Sequence, residues 1–172
     1  SPRWTGTGDT VLVGASRGTI LRSTDGSTFS AIPTGFGTDQ WDFDCPGNNV
    51  CYGASGHDTV IKSTDGGLTW SRQRWGSDEV TLYGIDCTDA NTCWTVGEKG
   101  EIRHTTNGGT NWAKQGGNLS QQIRYEKVKM ISPTQGYAVG CAEVNSDGAC
   151  RLGAIVRTTD GVNWTALQSF AS

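Results

Sequence analysis

Short apolar stretches recur along the chain, and each of them runs into the same kind of turn signal. The signal is an Asp or Asn followed by Gly, with an aromatic residue four or five positions after the Asp or Asn. An Asp or Asn side chain can hydrogen-bond the backbone two residues on, and Gly adopts a positive φ without steric cost. Strand, turn and strand in this order predict β-hairpins. The four copies lie at 18–29, 59–70, 101–112 and 154–164.

The copies recur at a period of about forty residues, which is the length of a four-stranded propeller blade. Helical periodicity is absent, and short strands alternate with Gly-rich turns. The sequence therefore predicts an all-β fold: a β-propeller of about four blades, each of four antiparallel strands. We expect a single domain over 1–172, with the first strand of the first blade shortened. The predicted blades are 1–37, 38–79, 80–120 and 121–172.

The fullest copy, Ser63-Thr64-Asp65-Gly66-Gly67-Leu68-Thr69-Trp70, resembles the Asp-box, or BNR, repeat. This repeat is found in sialidases, secreted β-propeller glycosidases, sortilin-type receptors and Ycf48-like photosystem II assembly factors. The resemblance implies that each box is a structural corner away from the binding face. It implies that four residues form the turns: Asp25, Asp65, Asn107 and Asp160. It also implies that the four box aromatics pack between sheets: Phe29, Trp70, Trp112 and Trp164.

Propellers of this family usually have six or more blades, and an open arc of four exposes its end sheets. Three arrangements remain open at this stage. The chain closes as a small ring, it is completed by another chain in a homo-oligomer or larger assembly, or it is part of a longer protein.

Six cysteines fall into three local pairs: Cys45/Cys51, Cys87/Cys93 and Cys141/Cys150. The first two pairs have the same spacing and the same place in the repeat. A zinc site would need closer pairs that converge with His support. We therefore predict three disulfides, and with them an oxidising compartment: extracellular or secreted, with a periplasm or thylakoid lumen as alternatives.

Charge and hydropathy exclude several classes of partner. The net charge of −3 and the absence of a basic run argue against nucleic-acid binding, and no apolar stretch reaches the length of a membrane helix. No P-loop or dinucleotide fingerprint is present, so no cofactor and no resident metal are expected. Asp58, Asp78 and Glu79 are interpreted as solvated loop residues rather than calcium ligands.

An enzyme is the less favoured hypothesis. The sialidase resemblance implies three arginines, a Tyr paired with a Glu, and an Asp acid. Four cations are expected at equivalent places before the boxes, where repetition indicates a structural role: Arg22, Lys62, Arg103 and Arg157. Tyr125 and Glu126 are neighbours in a strand, so they should point to opposite faces. We predict no catalytic residues, with a fragment of a sialidase-like exo-glycosidase as an alternative.

The remaining prediction is a binding surface on the loops between blades. Trp75, beside Arg74, is the candidate anchor for a protein partner or a sugar ring; the competing interpretation is that it covers its blade's hydrophobic edge. Asn118 and Asn163 lie in glycosylation sequons.

The sequence thus predicts a non-catalytic secreted or lumenal scaffold for protein or carbohydrate binding. The alternative is a Ycf48-like photosystem II assembly or accessory factor in the thylakoid lumen. Two observations argue against that alternative: cysteine pairs are not part of the pattern associated with that group, and the sequence shows no concentrated arginine patch.

Overall fold

The computed structural model describes residues 2–4, 10–47, 49–75, 80–144 and 149–171, with the backbone alone at 2–4, 74, 144 and 168–171. They form four sheets of four antiparallel strands, and in each sheet consecutive strands are paired. The strands are β1 (Pro2–Trp4), β2 (Val11–Gly14), β3 (Thr19–Ser23) and β4 (Ser30–Pro33); β5 (Gln40–Asp44), β6 (Cys51–Ser55), β7 (Thr59–Ser63) and β8 (Ser71–Arg74); β9 (Leu82–Cys87), β10 (Cys93–Gly97), β11 (Ile102–Thr105) and β12 (Ala113–Gln115); β13 (Arg124–Met130), β14 (Gly136–Val144), β15 (Cys150–Thr158) and β16 (Trp164–Ala171).

These sheets confirm the predicted fold, a propeller-type arrangement of about four antiparallel blades. The described helical structure is a single 3-10 turn at Ser16–Gly18. The first strand of the first blade is short, as expected, but it pairs with β2 over three residues. Cys141 and Cys150 both lie in strands, in β14 and β15 respectively.

The sheets stack side by side through their first strands, with β5 against β9 and β9 against β13. We call β5, β9 and β13 the inner strands. A hydrophobic cluster fills each of the three junctions between consecutive sheets, and the clusters are centred on Phe43, Leu82 and Tyr125. Among the described residues no such cluster joins the fourth sheet to the first, so the ring is open.

The boxes form the turns that the sequence predicts. Asp65 Oδ1 accepts the backbone N–H groups of Leu68 and Thr69, at 3.1 and 2.9 Å. The Thr69 hydroxyl donates to Asp65 Oδ2, and these bonds lower the pKa of Asp65 to about 2. The same kind of backbone hydrogen bond confirms the turn-forming role in the other three boxes. Asp25 accepts from Ser27 and Thr28, Asn107 accepts from Asn111, and Asp160 accepts from Val162 and Asn163.

Packing of the box aromatics between sheets is confirmed for Trp112 and Trp164, which are buried, and partly for Trp70, which is half-buried. The prediction was wrong for Phe29, which is 44% exposed. The physical reason is the open ring: each box aromatic packs toward the preceding sheet, and no described sheet precedes the first.

All six cysteines form the predicted disulfides. Cys45–Cys51 and Cys87–Cys93 each join the first and second strands of one sheet. The third bridge, Cys141–Cys150, joins the second and third strands of the fourth sheet.

Two further expectations were wrong. Arg103 is not equivalent to Arg22, Lys62 and Arg157: in the strand register His104 occupies that place, because it pairs with Trp94 as Lys62 pairs with Tyr52. Asp58 is not a solvated loop residue; it is fully buried in the turn between β6 and β7. Asp78 and Glu79 lie outside the described residues.

Candidate binding site on the inner strands

A β-bulge recurs at the same point of all three inner strands. In β5, Gln40 and Asp42 pair with consecutive residues of β6, which leaves Trp41 as the extra residue. The same irregularity leaves Tyr83 extra in β9 and Glu126 extra in β13. A bulge bends its strand and redirects the side chain of the extra residue. Three equivalent side chains are thereby presented on three successive sheets.

These residues form a continuous row across the sheets. The ring centroids of Trp41 and Tyr83 are 5.5 Å apart, and the Arg124 guanidinium lies 5.7 Å from the Tyr83 centroid. Arg124 also forms an ion pair with Glu126 at 2.7 Å. We call Trp41, Tyr83, Arg124 and Glu126 the inner row. Along the row the four side chains are aromatic, aromatic, cationic and anionic.

The inner row combines exposure with rigidity. Trp41 is 43% exposed, although Trp favours burial, and so it offers a large apolar surface. The Tyr83 hydroxyl donates to Glu98 Oε1 at 2.8 Å, and Glu98 Oε2 accepts the Thr81 backbone N–H. Burial, and then the Glu98 carboxylate, raise the pKa of Tyr83, so its hydroxyl stays protonated. The ring of Tyr83 is thus held in place beneath Trp41.

A polar hollow of about 260 Å³ adjoins Trp41. Two loops line it, one before β5 and one between β6 and β7. The Thr38 hydroxyl, in the first of these loops, lies 2.7 Å from the Ser55 hydroxyl at the end of β6. Its volume lies just below the range of about 300–1,000 Å³ that is usual for small-molecule sites. Its lining is Gly37, Thr38, Asp39, Trp41, Gly56, His57 and Thr81.

Trp75, the anchor predicted from sequence, lies elsewhere. It is half-buried against the junction of the second and third sheets, with its ring centroid 5.5 Å from that of Trp112 and the Arg103 guanidinium 5.0 Å away. It lines a cleft of about 500 Å³ between β8 and the third box. The side chain of Arg74 is outside the described part of the structure. A binding role for Trp75 and Arg74 stays a prediction.

The two sequons are both exposed. The Asn118 amide donates to the Trp164 carbonyl at 3.2 Å, and the Asn163 amide donates to Asp160 Oδ2 at 2.7 Å. A glycan on either nitrogen would take the place of one of its two hydrogens and leave a single N–H for these bonds. Glycosylation stays a prediction.

Three buried carboxylates hold neighbouring groups together and have cationic partners. Asp86 accepts the Met130 backbone N–H and binds Lys129, and Asp42 binds Lys127. Glu101 binds both Arg103 and Lys114. In the described ranges no group of three His, Cys, Asp or Glu residues could hold a metal ion. No described helix is long and apolar enough to span a membrane.

Sequence reasoning missed the inner row, although a signal was present. Trp41 and Tyr83 each lie four positions before the first cysteine of their repeat. Glu126 was considered only with Tyr125, and the structure confirms that the two point apart, because Tyr125 is buried and Glu126 is exposed.

Solved structures match the chain at low sequence identity. "YCF48 bound to D1 peptide" is 18% identical with a TM-score of 0.60, and the match covers 95% of this chain and 44% of that one. "YCF48 from Cyanidioschyzon merolae" is 19% identical with a TM-score of 0.68, covering 96% and 54%. A GH74 enzyme from Niastella koreensis is 17% identical with a TM-score of 0.77, covering 96% and 29%. Likeness at this identity shows the fold alone.

The chain spans about half the length of the two YCF48 chains and less than a third of the GH74 chain. No curated protein matches it. A family model described as "Photosynthesis system II assembly factor YCF48" matches residues 38–171, which is most of the chain. The Asp-box resemblance is thereby confirmed, and the chain belongs to the YCF48 family of photosystem II assembly factors.

Proposed function

We propose that this protein is a non-catalytic scaffold that holds an extended segment of a protein partner across the inner row. The observation that carries the proposal is the recurring bulge, which places equivalent side chains on three successive inner strands, with Trp41 and Glu126 exposed and Tyr83 half-buried between them. A row that crosses three sheets matches an extended peptide better than a compact ligand.

Each part of the row offers a distinct contact. Trp41 supplies a large aromatic surface of the kind that dominates binding energy at protein interfaces. The hollow beside it accepts one polar side chain of the partner. Arg124 is available to a partner carboxylate, because an exposed ion pair such as Arg124–Glu126 contributes only about 0–1 kcal/mol and is easily exchanged.

Family membership supports a protein partner in photosystem II assembly. A YCF48 protein has been solved with a D1 peptide, and we infer that this chain binds a peptide of the same class. Three disulfides and the family together support a lumenal location, because disulfides persist in oxidising compartments. On this support we place the lumenal assembly factor ahead of the general secreted module among the two hypotheses drawn from the sequence.

The hydrogen bonds and ion pairs of the carboxylates support the non-catalytic assignment. Glycoside hydrolysis needs a pair of carboxyl groups facing the scissile bond. At the inner row, Glu126 pairs with Arg124, and Glu98 accepts bonds from Tyr83 and Thr81. Three of the buried carboxylates, Asp42, Asp86 and Glu101, are bound to lysines and arginines. None of these residues forms a free acid pair.

The test is a titration of the fluorescein-labelled D1 peptide, followed by fluorescence anisotropy. We expect Trp41→Ala to weaken binding at least tenfold, which corresponds to about 1.4 kcal/mol, and Arg124→Ala to weaken it less. Leu68→Ala is the matched control, because Leu68 is also an exposed apolar residue but lies in a box turn. Equal affinity of the Trp41 and Leu68 variants would refute the assigned site. Binding to a glycan array, abolished by Trp41→Ala, would instead favour a carbohydrate ligand.

A further inference from the structure

The turn between the second and third strands presents a basic side chain in each of the first three sheets. The residues are Arg17, His57 and Lys99, and all three are exposed. Their φ values lie between 55° and 58°, in the left-handed region. Tight hairpin turns that need a positive φ usually have Asn, Asp or Gly there, because this conformation is costly for most side chains. The backbone alone therefore gives no reason for a basic residue at these three positions.

The backbone around Lys99 holds this residue at a fixed place. The next residue, Gly100, is buried, and its N–H donates to the Ile123 carbonyl in the linker before β13 at 2.7 Å. The Glu101 N–H donates to the Glu98 carbonyl at 3.0 Å and closes the turn. The turn is thus tied to the linker of the fourth sheet as well as to its own sheet, and it presents Lys99 from a rigid base.

A hollow of about 270 Å³ lies beside this turn. We call it the lysine hollow, and its lining is Val80, Lys99, Glu101, Lys114 and Gln121. The residue after Val80 is Thr81, which lines the hollow beside Trp41. The lysine hollow therefore adjoins the inner row, because consecutive residues of one linker border the two hollows.

The lysine hollow has a surplus of positive charge. Glu101 is 1% exposed, and its two carboxylate oxygens bind Arg103 and Lys114. Lys99 forms no hydrogen bond or ion pair with any residue in the described part of the chain. Three cations therefore lie around one carboxylate, and both oxygens of that carboxylate already have a cationic partner. A further carboxylate in the hollow would balance the remaining charge.

Glu98, the residue before Lys99, does not supply this carboxylate. Its Oε1 accepts from the Tyr83 hydroxyl at 2.8 Å, and its Oε2 accepts from the Thr81 N–H at 3.2 Å. Both oxygens thus hold the inner row and its linker in place. Because one short turn contains both Glu98 and Lys99, these bonds also fix the position of Lys99 relative to Tyr83 of the inner row.

We propose that the lysine hollow binds a carboxylate of the partner segment that lies across the inner row, so that the partner is an acidic peptide. The position of this segment rests on the proposed function. Trp41 and Tyr83 then contact apolar groups of the segment, while Lys99 and Lys114 bind an acidic group beside them. Charge complementarity of this kind contributes more to the choice of partner than to affinity.

The test compares two fluorescein-labelled peptides by fluorescence anisotropy at low salt: the D1 peptide, and a matched peptide in which every carboxylate is replaced by a carboxamide. The wild type should bind the amide peptide about threefold more weakly, as expected for one exposed ion pair. Lys99→Gln should weaken binding of the D1 peptide by a similar factor and leave the amide peptide unaffected. Salt should reduce both differences. Arg157→Gln is the matched control, because Arg157 is an exposed cation beside the fourth box.

A labelled oligoglutamate and its oligoglutamine counterpart give a second probe pair, which does not depend on the D1 peptide. The wild type should bind the oligoglutamate more tightly than Lys99→Gln does. Equal affinity of Lys99→Gln and wild type for both acidic probes would overturn the proposal, as would a Lys99-dependent site for inorganic phosphate that takes neither acidic peptide. An effect of Trp41→Ala without one of Lys99→Gln would refute the lysine hollow alone, and the converse would refute the inner row alone.

Discussion

The contact between Gln115 and Trp164 ties the third sheet to the fourth, and it gives a prediction whose size can be worked out. Trp164 Nε1 donates to Gln115 Oε1 at 2.8 Å, and Gln115 Nε2 donates to the Gly161 carbonyl at 3.0 Å. Both side chains are buried. The Gly161 carbonyl also accepts from Trp94, so it keeps a partner when Gln115 is removed.

Gln115→Leu therefore leaves one buried donor, Trp164 N–H, without a partner. An orphaned buried polar group costs about 1–3 kcal/mol, and we expect a loss of unfolding free energy in that range. Trp164→Phe orphans Gln115 Oε1 in the same way and also removes part of the ring. The double variant removes both polar partners at once. It should therefore lose about 1–2 kcal/mol less than the sum of the single variants.

The chain offers a matched control in Gln73, which makes the same contacts one junction earlier. Its bonds to Trp112 and Gly108 are longer, at 3.3 and 3.2 Å, and Lys62 shares the Gly108 acceptor. Gln73→Leu should therefore cost less than Gln115→Leu. The first blade shows that an aliphatic residue is tolerated here, since Ile32 occupies the equivalent register position.

The assay is equilibrium unfolding in urea with the disulfides oxidised, followed by tryptophan fluorescence and circular dichroism. Single and double variants are compared as a double-mutant cycle. Additivity within about 0.3–0.5 kcal/mol is the behaviour of independent sites. That result would refute the claim that this hydrogen bond couples the two sheets.

Three further predictions concern the turns and bridges. The pKa of Asp65 is about 2 in the folded state and about 3.9 in an unfolded chain. Its contribution to stability is therefore present above pH 4 and is lost as the pH falls toward 2. Asp65→Asn should make the stability depend less on pH in that window, as measured by acid unfolding followed by circular dichroism. Alkylation without reductant should label no cysteine by intact mass, and reduction should cost about 2–3 kcal/mol per bridge; labelling of the native protein would contradict the pairing. Gly161→Ala should lower the free energy of unfolding by about 1–3 kcal/mol, because Gly161 has φ 76° and a Cβ there would lie 2.3 Å from the Pro133 carbonyl oxygen. The control is Gly117→Ala, where a Cβ would meet open space, and it should leave the urea midpoint unchanged.

The fold could be predicted because its signals are local and repeated. Each Asx-Gly turn determines its own hairpin through bonds within a few residues, as Asp65 shows. The cysteine pairs Cys45/Cys51 and Cys87/Cys93 bridge neighbouring strands, so their spacing was sufficient to pair them. Phe29 could not be placed by the same argument. Its burial depends on a preceding sheet, and that is a property of the assembly rather than of the box.

The candidate site was harder to predict because a bulge breaks the alternation on which strand prediction depends. Simple alternation gives no reason to single out Trp41 or Tyr83, whereas the recurring bulge makes each of them the extra residue of an inner strand. The surroundings of Trp75 were also beyond the reach of its loop sequence. Contacts with Trp112 and Arg103 half-bury it, and only the packing of two sheets reveals those neighbours.

Photo-crosslinking of the D1 peptide tests the central claim most directly. Benzoylphenylalanine replaces Trp41 in one variant and Trp75 in another, and the crosslinked peptide is mapped by mass spectrometry. If a partner segment lies across the inner row, position 41 should capture the peptide and position 75 should not. Capture at position 75 with none at position 41 would contradict the account and would place the binding site in the cleft beside the third box.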